Sequence, residues 1–147
     1  MIKRVQAHSW EGIDKVLAQK AQMRALGFTE IGPFVCVGVS ESESEFIAFY
    51  LPPAHFYGML FAPREDTIPI ELCCQISCTS GVSVTNSAAI EPWHRPPHGV
   101  LMRIARAPMG MLLRTLLDKV AGLDREAACP DMFEGDFTRY RLTVAHS

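Results

Sequence analysis

Residues 91–99 read EPWHRPPHG, a stretch in which several chemically capable side chains stand among three prolines. These side chains are Trp93, His94, Arg95 and His98. Two histidines at this spacing could bind a metal on a helix, a histidine beside an arginine could hold an anion or move a proton, and a tryptophan among prolines is typical of a contact surface. Pro96 and Pro97 exclude a helix and impose an extended backbone, so the metal geometry is lost. The stretch is therefore interpreted as a rigid contact loop, with a buried supporting role as the alternative.

The cysteines of the segment CCQISC do not form a metal site. In a strand Cys74 and Cys78 point to one face and Cys73 to the other, so the three thiols cannot hold one ion. Cysteine also packs as a small buried hydrophobic residue, and Cys73 is the one candidate for redox sensing. The chain has five cysteines and its first residues lack a secretory signal, so reduced thiols are expected.

Signatures of catalysis are mostly absent. The sequence contains no GxSxG, GxxxxGK[ST] or GxGxxG motif, and no protein-kinase motif set. His55 with nearby Tyr57, and the pair Glu65 and Asp66, could supply an acid and a base, but a turn between two strands explains the same residues. No residue stands out as a nucleophile, so we predict a protein that is not an enzyme and uses neither a cofactor nor a metal.

Composition indicates one soluble globular domain. The chain has 147 residues, of which 48% are hydrophobic and 20% charged, and its formal net charge is -2. Such a chain can bury an ordinary core over residues 1–147 without disulfides or metals. No segment reaches the roughly 18 apolar residues that span a membrane, and a cytoplasmic location is expected. A slightly acidic balance argues against a dedicated nucleic-acid binder.

Arginines in the C-terminal part are the one basic feature. If the strands that carry Arg103 and the pair Arg139 and Arg141 are neighbours, their guanidinium groups share one sheet face, which suits a phosphate, a carboxylate or an acidic partner. Acidic residues interleave with them, and no helix-turn-helix is found because the two predicted helices are far apart in the chain. Direct DNA binding is therefore not favoured.

Two helices and about six strands are predicted to position these residues. Ser9 should cap a first helix that ends at Gly27, and Pro108 should begin a second helix with an apolar stripe from Met109 to Val120. The predicted strands lie in residues 33–40, 45–51, two within 68–86, 99–106 and 137–145.

This order predicts an α+β fold, a mostly antiparallel sheet of about six strands with two main helices packed on one face. In the segment IPIELCCQ, Ile70, Leu72 and Cys74 alternate with Glu71 and Gln75, a pattern typical of a half-buried sheet. The segment EFIAFYL is apolar on both sides, so its strand should be covered on both faces or pair with another chain.

The chain resembles the RsaM-type negative regulators of acyl-homoserine-lactone quorum sensing. The resemblance rests on a small α+β chain with WHRPPHG between a central hairpin and the strand GVLMRIAR, without catalytic or helix-turn-helix signatures. It implies a regulator that restrains production of the lactone signal and acts without an obvious DNA-binding motif. It implies no residue roles.

The sequence thus predicts a non-enzymatic repressor in quorum sensing and transcription regulation, a homodimer with a protein partner in that circuit. Residue chemistry places its interaction site at Trp93, His94, Arg95, His98 and Arg103. The alternative is a small-molecule-binding domain or small enzyme, with a pocket between sheet and helices and His55 or His94 as its polar group.

Overall fold

The computed structural model describes residues 2–36, 44–64, 67–77, 80–87 and 98–137. The elements, in chain order, are β1 (Ile2–Arg4), α1 (Asp14–Ala25), β2 (Thr29–Cys36), β3 (Ser44–Leu51), β4 (Phe56–Phe61), β5 (Ile70–Gln75), β6 (Ser80–Thr85), β7 (His98–Arg103), α2 (Met109–Val120), a 3₁₀ turn (Pro130–Met132) and α3 (Phe133–Phe137).

The strands form a seven-stranded sheet in sequence order, β1-β2-β3-β4-β5-β6-β7. All neighbours are antiparallel except β6 and β7, which are parallel. The predicted α+β class is confirmed, but the predicted count of about six strands is too low. Strands β1 and β4 were not expected, and the strand predicted at residues 137–145 lies outside the described residues apart from Phe137, which ends α3.

Strand β4 was missed because no alternation marks it. Its first five residues, Phe56 to Leu60, are all buried, so both faces of the strand are covered and its sequence is continuously apolar. The turn before it is tighter than expected, since His55 adopts a left-handed backbone with φ 59° and its N–H donates to the carbonyl of Pro52. The segment predicted as a polar turn is therefore largely strand.

The two long helices pack on one face of the sheet, as predicted. The stripe of α2 is buried at Met109, Leu112, Leu116 and Val120, which join a core cluster that also includes Val16 and Met23 of α1. Helix α1 approaches the sheet over Gly58, where an added Cβ would lie 2.8 Å from Cε of Met23. No helix in the described ranges is long and apolar enough to cross a membrane.

Only the C-terminal end of α1 agrees with the prediction. Helix α1 begins at Asp14 rather than after Ser9, and Ile13 precedes it without a side-chain cap. Gly27 follows the C-cap residue Leu26 with φ 101°, the left-handed conformation that glycine adopts at helix ends. The predicted cap at Ser9 is wrong, and the predicted end at Gly27 is confirmed.

A third helix covers part of the opposite face, which the expectation of two helices omitted. Phe133 and Phe137 of α3 join Phe34 and Phe46 in a second core cluster, and the rings of Phe46 and Phe137 stack at 5.6 Å. Strand β3 therefore buries both sides, as its sequence indicated. A five-residue helix was hard to predict, and its last residue, Phe137, is also the first residue of the strand expected at 137–145.

Candidate functional site

The predicted contact loop falls largely outside the described residues. Trp93, His94 and Arg95 are not described, and only the backbone of His98 is, as the first residue of β7. Arg103 ends β7 and is exposed. The role assigned to these five residues remains a prediction.

Arg103 is hydrogen-bonded to the chain four residues before that loop. Its Nη1 donates to the carbonyl oxygen of Ser87 at 3.0 Å. Because β6 and β7 are parallel, with Ser80 opposite His98 and Thr85 opposite Arg103, the end of β6 and the start of β7 lie at opposite ends of the strands. Arg103 thus fixes the backbone where the chain leaves β6.

The alternative pocket, with His55 or His94 as its polar group, stays a prediction. His55 is exposed in the turn before β4, whereas Tyr57 is buried. Glu65, Asp66 and His94 lie outside the described residues. His55 also does not line the cavity found on the second face of the sheet.

A buried polar cluster that sequence reasoning missed is centred on Tyr57. Its hydroxyl donates to Oδ2 of Asp136 at 2.7 Å and accepts from the backbone N–H of Cys129 at 3.2 Å. Asp136 itself is 6% exposed. These contacts hold the chain from Cys129 to α3 against the sheet.

The environment of Tyr57 disfavours its ionised form. Burial, and then the hydrogen bond to the Asp136 carboxylate, raise the pKa of Tyr57 well above its ordinary value. The hydroxyl therefore stays protonated at neutral pH and serves as a donor. It is not placed to act as a base.

Gln75 stands beside this pair and has an acceptor without a partner. Its Nε2 donates to the carbonyl oxygen of Asp136 at 3.4 Å, and its side-chain Oε1 is buried with no hydrogen-bond partner among the described residues. A buried acceptor in that condition costs about 1 to 3 kcal/mol. Native proteins leave few such groups.

A small cavity of about 10 Å³ lies at this cluster. Its lining consists of Tyr57, Met59, Cys73, Gln75, Phe133, Asp136 and Phe137. That volume is close to the smallest that holds one water molecule. This candidate site therefore lies between the sheet and α3.

Most of the buried polar residues in the described part of the chain lie on the side of the sheet that α3 covers. Val82 and Val84 of β6 belong to the first core cluster, so Ser83 and Thr85 face the other way, opposite Cys73 and Glu71 of β5. The alternation in β5 is confirmed, but its polar side is not a wet face, since Glu71 is 0% exposed. Segments remote in sequence cover it, and the pattern within β5 carries no signal of them.

A second buried polar contact joins the N-terminal segment to β3. Nδ1 of His8 lies 3.0 Å from Oε2 of Glu45, and Nε2 lies 3.0 Å from the carbonyl oxygen of Phe46. The ring also stacks on Trp10 at 4.9 Å.

The described cysteines are dispersed as predicted from strand geometry. Cys74 belongs to the first core cluster and Cys73 to the second, so their thiols are on opposite faces. Burial raises the pKa of Cys74 to about 11. Among described residues, no three His, Cys, Asp or Glu side chains are grouped to hold a metal ion. Cys78 lies outside those residues.

Comparison of the chain with known protein families, with curated proteins and with solved structures found no match.

Proposed function

We propose that this protein is a non-enzymatic regulator that lowers production of an N-acyl-homoserine-lactone signal, and that it acts through protein or ligand contacts. The proposal follows the resemblance carried by WHRPPHG before the strand GVLMRIAR. Its working surface is the loop with Trp93, Arg95 and the flanking Arg103.

The observation that supports this surface is the hydrogen bond from Arg103 to Ser87, 3.0 Å long, four residues before the loop. Fixing the backbone that leads into a binding loop lowers the entropy lost when the loop binds. Tryptophan and arginine are also the residues most often found at the centres of protein interfaces.

The positions of α1 and α2 favour a mode of action that does not use a DNA-recognition helix. Helices α1 and α2 are separated in the chain by six strands, and the apolar side of each packs on the sheet. In a helix-turn-helix, by contrast, the two helices are adjacent and the second lies in the major groove of DNA. The homodimer and the protein partner in the quorum-sensing circuit remain predictions. Light scattering of the purified protein measures whether it is a dimer.

The test uses cells that carry a lactone synthase with and without this protein. The double variant Trp93→Ala with Arg95→Ala should restore the lactone titre while the Tm stays within about 2 °C of the wild type. Arg114→Ala, an exposed arginine of α2, is the matched control and should repress as the wild type does. Full repression by the double variant would contradict the proposed surface, and an unchanged titre with the wild-type protein would contradict the function.

A further inference from the structure

The cavity beside Gln75 is unexplained by the regulatory role. Gln75 is 6% exposed and lines the cavity, and Oε1 of the same amide is buried without a partner in the described part of the chain. A polar group with no partner and an adjoining space are two separate observations, and both point to a hydrogen-bonding group that binds here.

The orientation of the amide is fixed by its neighbour. Nε2 donates to the carbonyl oxygen of Asp136. The reversed amide would set Oε1 against that carbonyl oxygen, so that two acceptors would face each other. The group that lacks a partner is therefore the oxygen, and what it lacks is a donor.

We propose that this cavity is a binding site for one hydrogen-bond donor, an O–H or N–H group that pairs with Oε1 of Gln75. The space of about 10 Å³ admits a group of one non-hydrogen atom. Such a group comes either from a water molecule or from the tip of a small molecule. This site is independent of the proposed contact loop.

Replacing Gln75 with Met tests whether a donor is present, because the change keeps the length of the side chain and removes the acceptor. The change also removes the 3.4 Å hydrogen bond from Nε2 to the carbonyl oxygen of Asp136. If a donor is bound to Oε1, both bonds are lost and the Tm falls by roughly 3 to 8 °C. If the oxygen is unpaired, loss of the Nε2 bond is offset by removal of the unpaired acceptor, and the Tm changes by less than about 3 °C.

Gln19→Met is the matched control. Oε1 of Gln19 is likewise buried without a partner, but Gln19 does not line this cavity. The control should leave the Tm unchanged or raise it slightly. A fall of equal size in both variants would show a general cost of the substitution and would overturn the proposal.

A measurement on the wild-type protein distinguishes the source of the donor and needs no variant. NMR of the ¹⁵N-labelled side-chain amide of Gln75 should show a nuclear Overhauser effect from a long-lived water proton or from a proton of a bound molecule. Native mass spectrometry then separates the two, since only a small molecule adds a mass that Gln75→Met abolishes. Absence of any such effect, together with a Tm of Gln75→Met within about 3 °C of the wild type, would overturn the proposal.

Discussion

The hydroxyl of Tyr57 lies 2.7 Å from Oδ2 of Asp136, and this hydrogen bond joins β4 to α3 across 79 positions of the chain. The same hydroxyl accepts from the N–H of Cys129, and Arg125 donates to the carbonyl oxygen of Ala54 at 2.8 Å. The segment after α2 is thus held to the sheet at several points, and the buried polar cluster lies beneath it.

Replacing Tyr57 with Phe should lower the free energy of unfolding by about 1 to 3 kcal/mol, because the Asp136 carboxylate and the Cys129 N–H each lose a partner in a buried place. Urea denaturation measures the change. Tyr50→Phe is the control, since Tyr50 is half-buried and no hydrogen bond of its hydroxyl is found among the described residues. Equal effects of the two variants would mean that the Tyr57 hydroxyl contributes no specific stability.

Stability should fall in alkaline solution, beginning near pH 9. The folded state holds the Cys74 proton to a pKa of about 11, above the ordinary value of 9.0, so between these values the unfolded chain releases the proton first. The resulting loss is roughly 2 kcal/mol by pH 11. The raised pKa of Tyr57 adds a further loss above pH 10.

Urea denaturation from pH 8 to pH 11 measures that slope. Cys74→Ala should be less stable at pH 8, because it leaves a small cavity, but its stability should decline less between pH 9 and pH 11. A slope equal to that of the wild type would contradict the assigned cause.

His8→Asn should lower the free energy of unfolding by about 1 to 3 kcal/mol, because the shorter side chain cannot reach both Glu45 and the carbonyl of Phe46. Hydrogen exchange of the backbone amides near Trp10 should accelerate as this attachment is lost. His55→Asn is the matched control, since His55 is exposed and asparagine tolerates its left-handed backbone. If both variants are equally stable, the contact to β3 contributes nothing.

Lys20→Met should destabilise the protein by about 1 to 2 kcal/mol, although Lys20 interrupts the apolar stripe of α1. Its Nζ lies 3.0 Å from Oε1 of Glu30. The change removes this partner and leaves the carboxylate with the longer contact to Nη2 of Arg24 at 3.8 Å, and the cost is reduced because the Glu30 side chain is 30% exposed. Lys15→Met, at an exposed position of the same helix, should have little effect. Urea denaturation of both variants in low salt tests this, and a neutral Lys20→Met would contradict it.

The sequence predicts best those elements whose pattern is local. The stripe of α2 and the alternation of β5 needed only the residues themselves, and both are found in the structure. Strand β4 gave no such pattern, because it is buried on both faces. Lys20 appeared as a defect in α1, since its partner Glu30 is on β2 and not within one turn.

The polar cluster could not be found from sequence because its two central members are distant in the chain. Tyr57 stands in a segment predicted as a turn, and Asp136 precedes one predicted as a strand. Glu71 and Gln75 were visible as polar alternating residues, but their burial depends on segments that pack across them. The contact loop is the opposite case. Its residue types suggest a role, but of the five residues assigned to it only Arg103 has a described side chain.

The central claim, that the protein lowers lactone production by contact and does not degrade the signal, can be tested in one measurement. Cells carrying a lactone synthase receive a known amount of isotope-labelled lactone, and mass spectrometry quantifies labelled and unlabelled lactone with and without this protein. The account predicts that the unlabelled lactone falls while the labelled lactone is fully recovered. Loss of both together would indicate degradation, and no change in the unlabelled lactone would indicate no repression; either result would contradict the account.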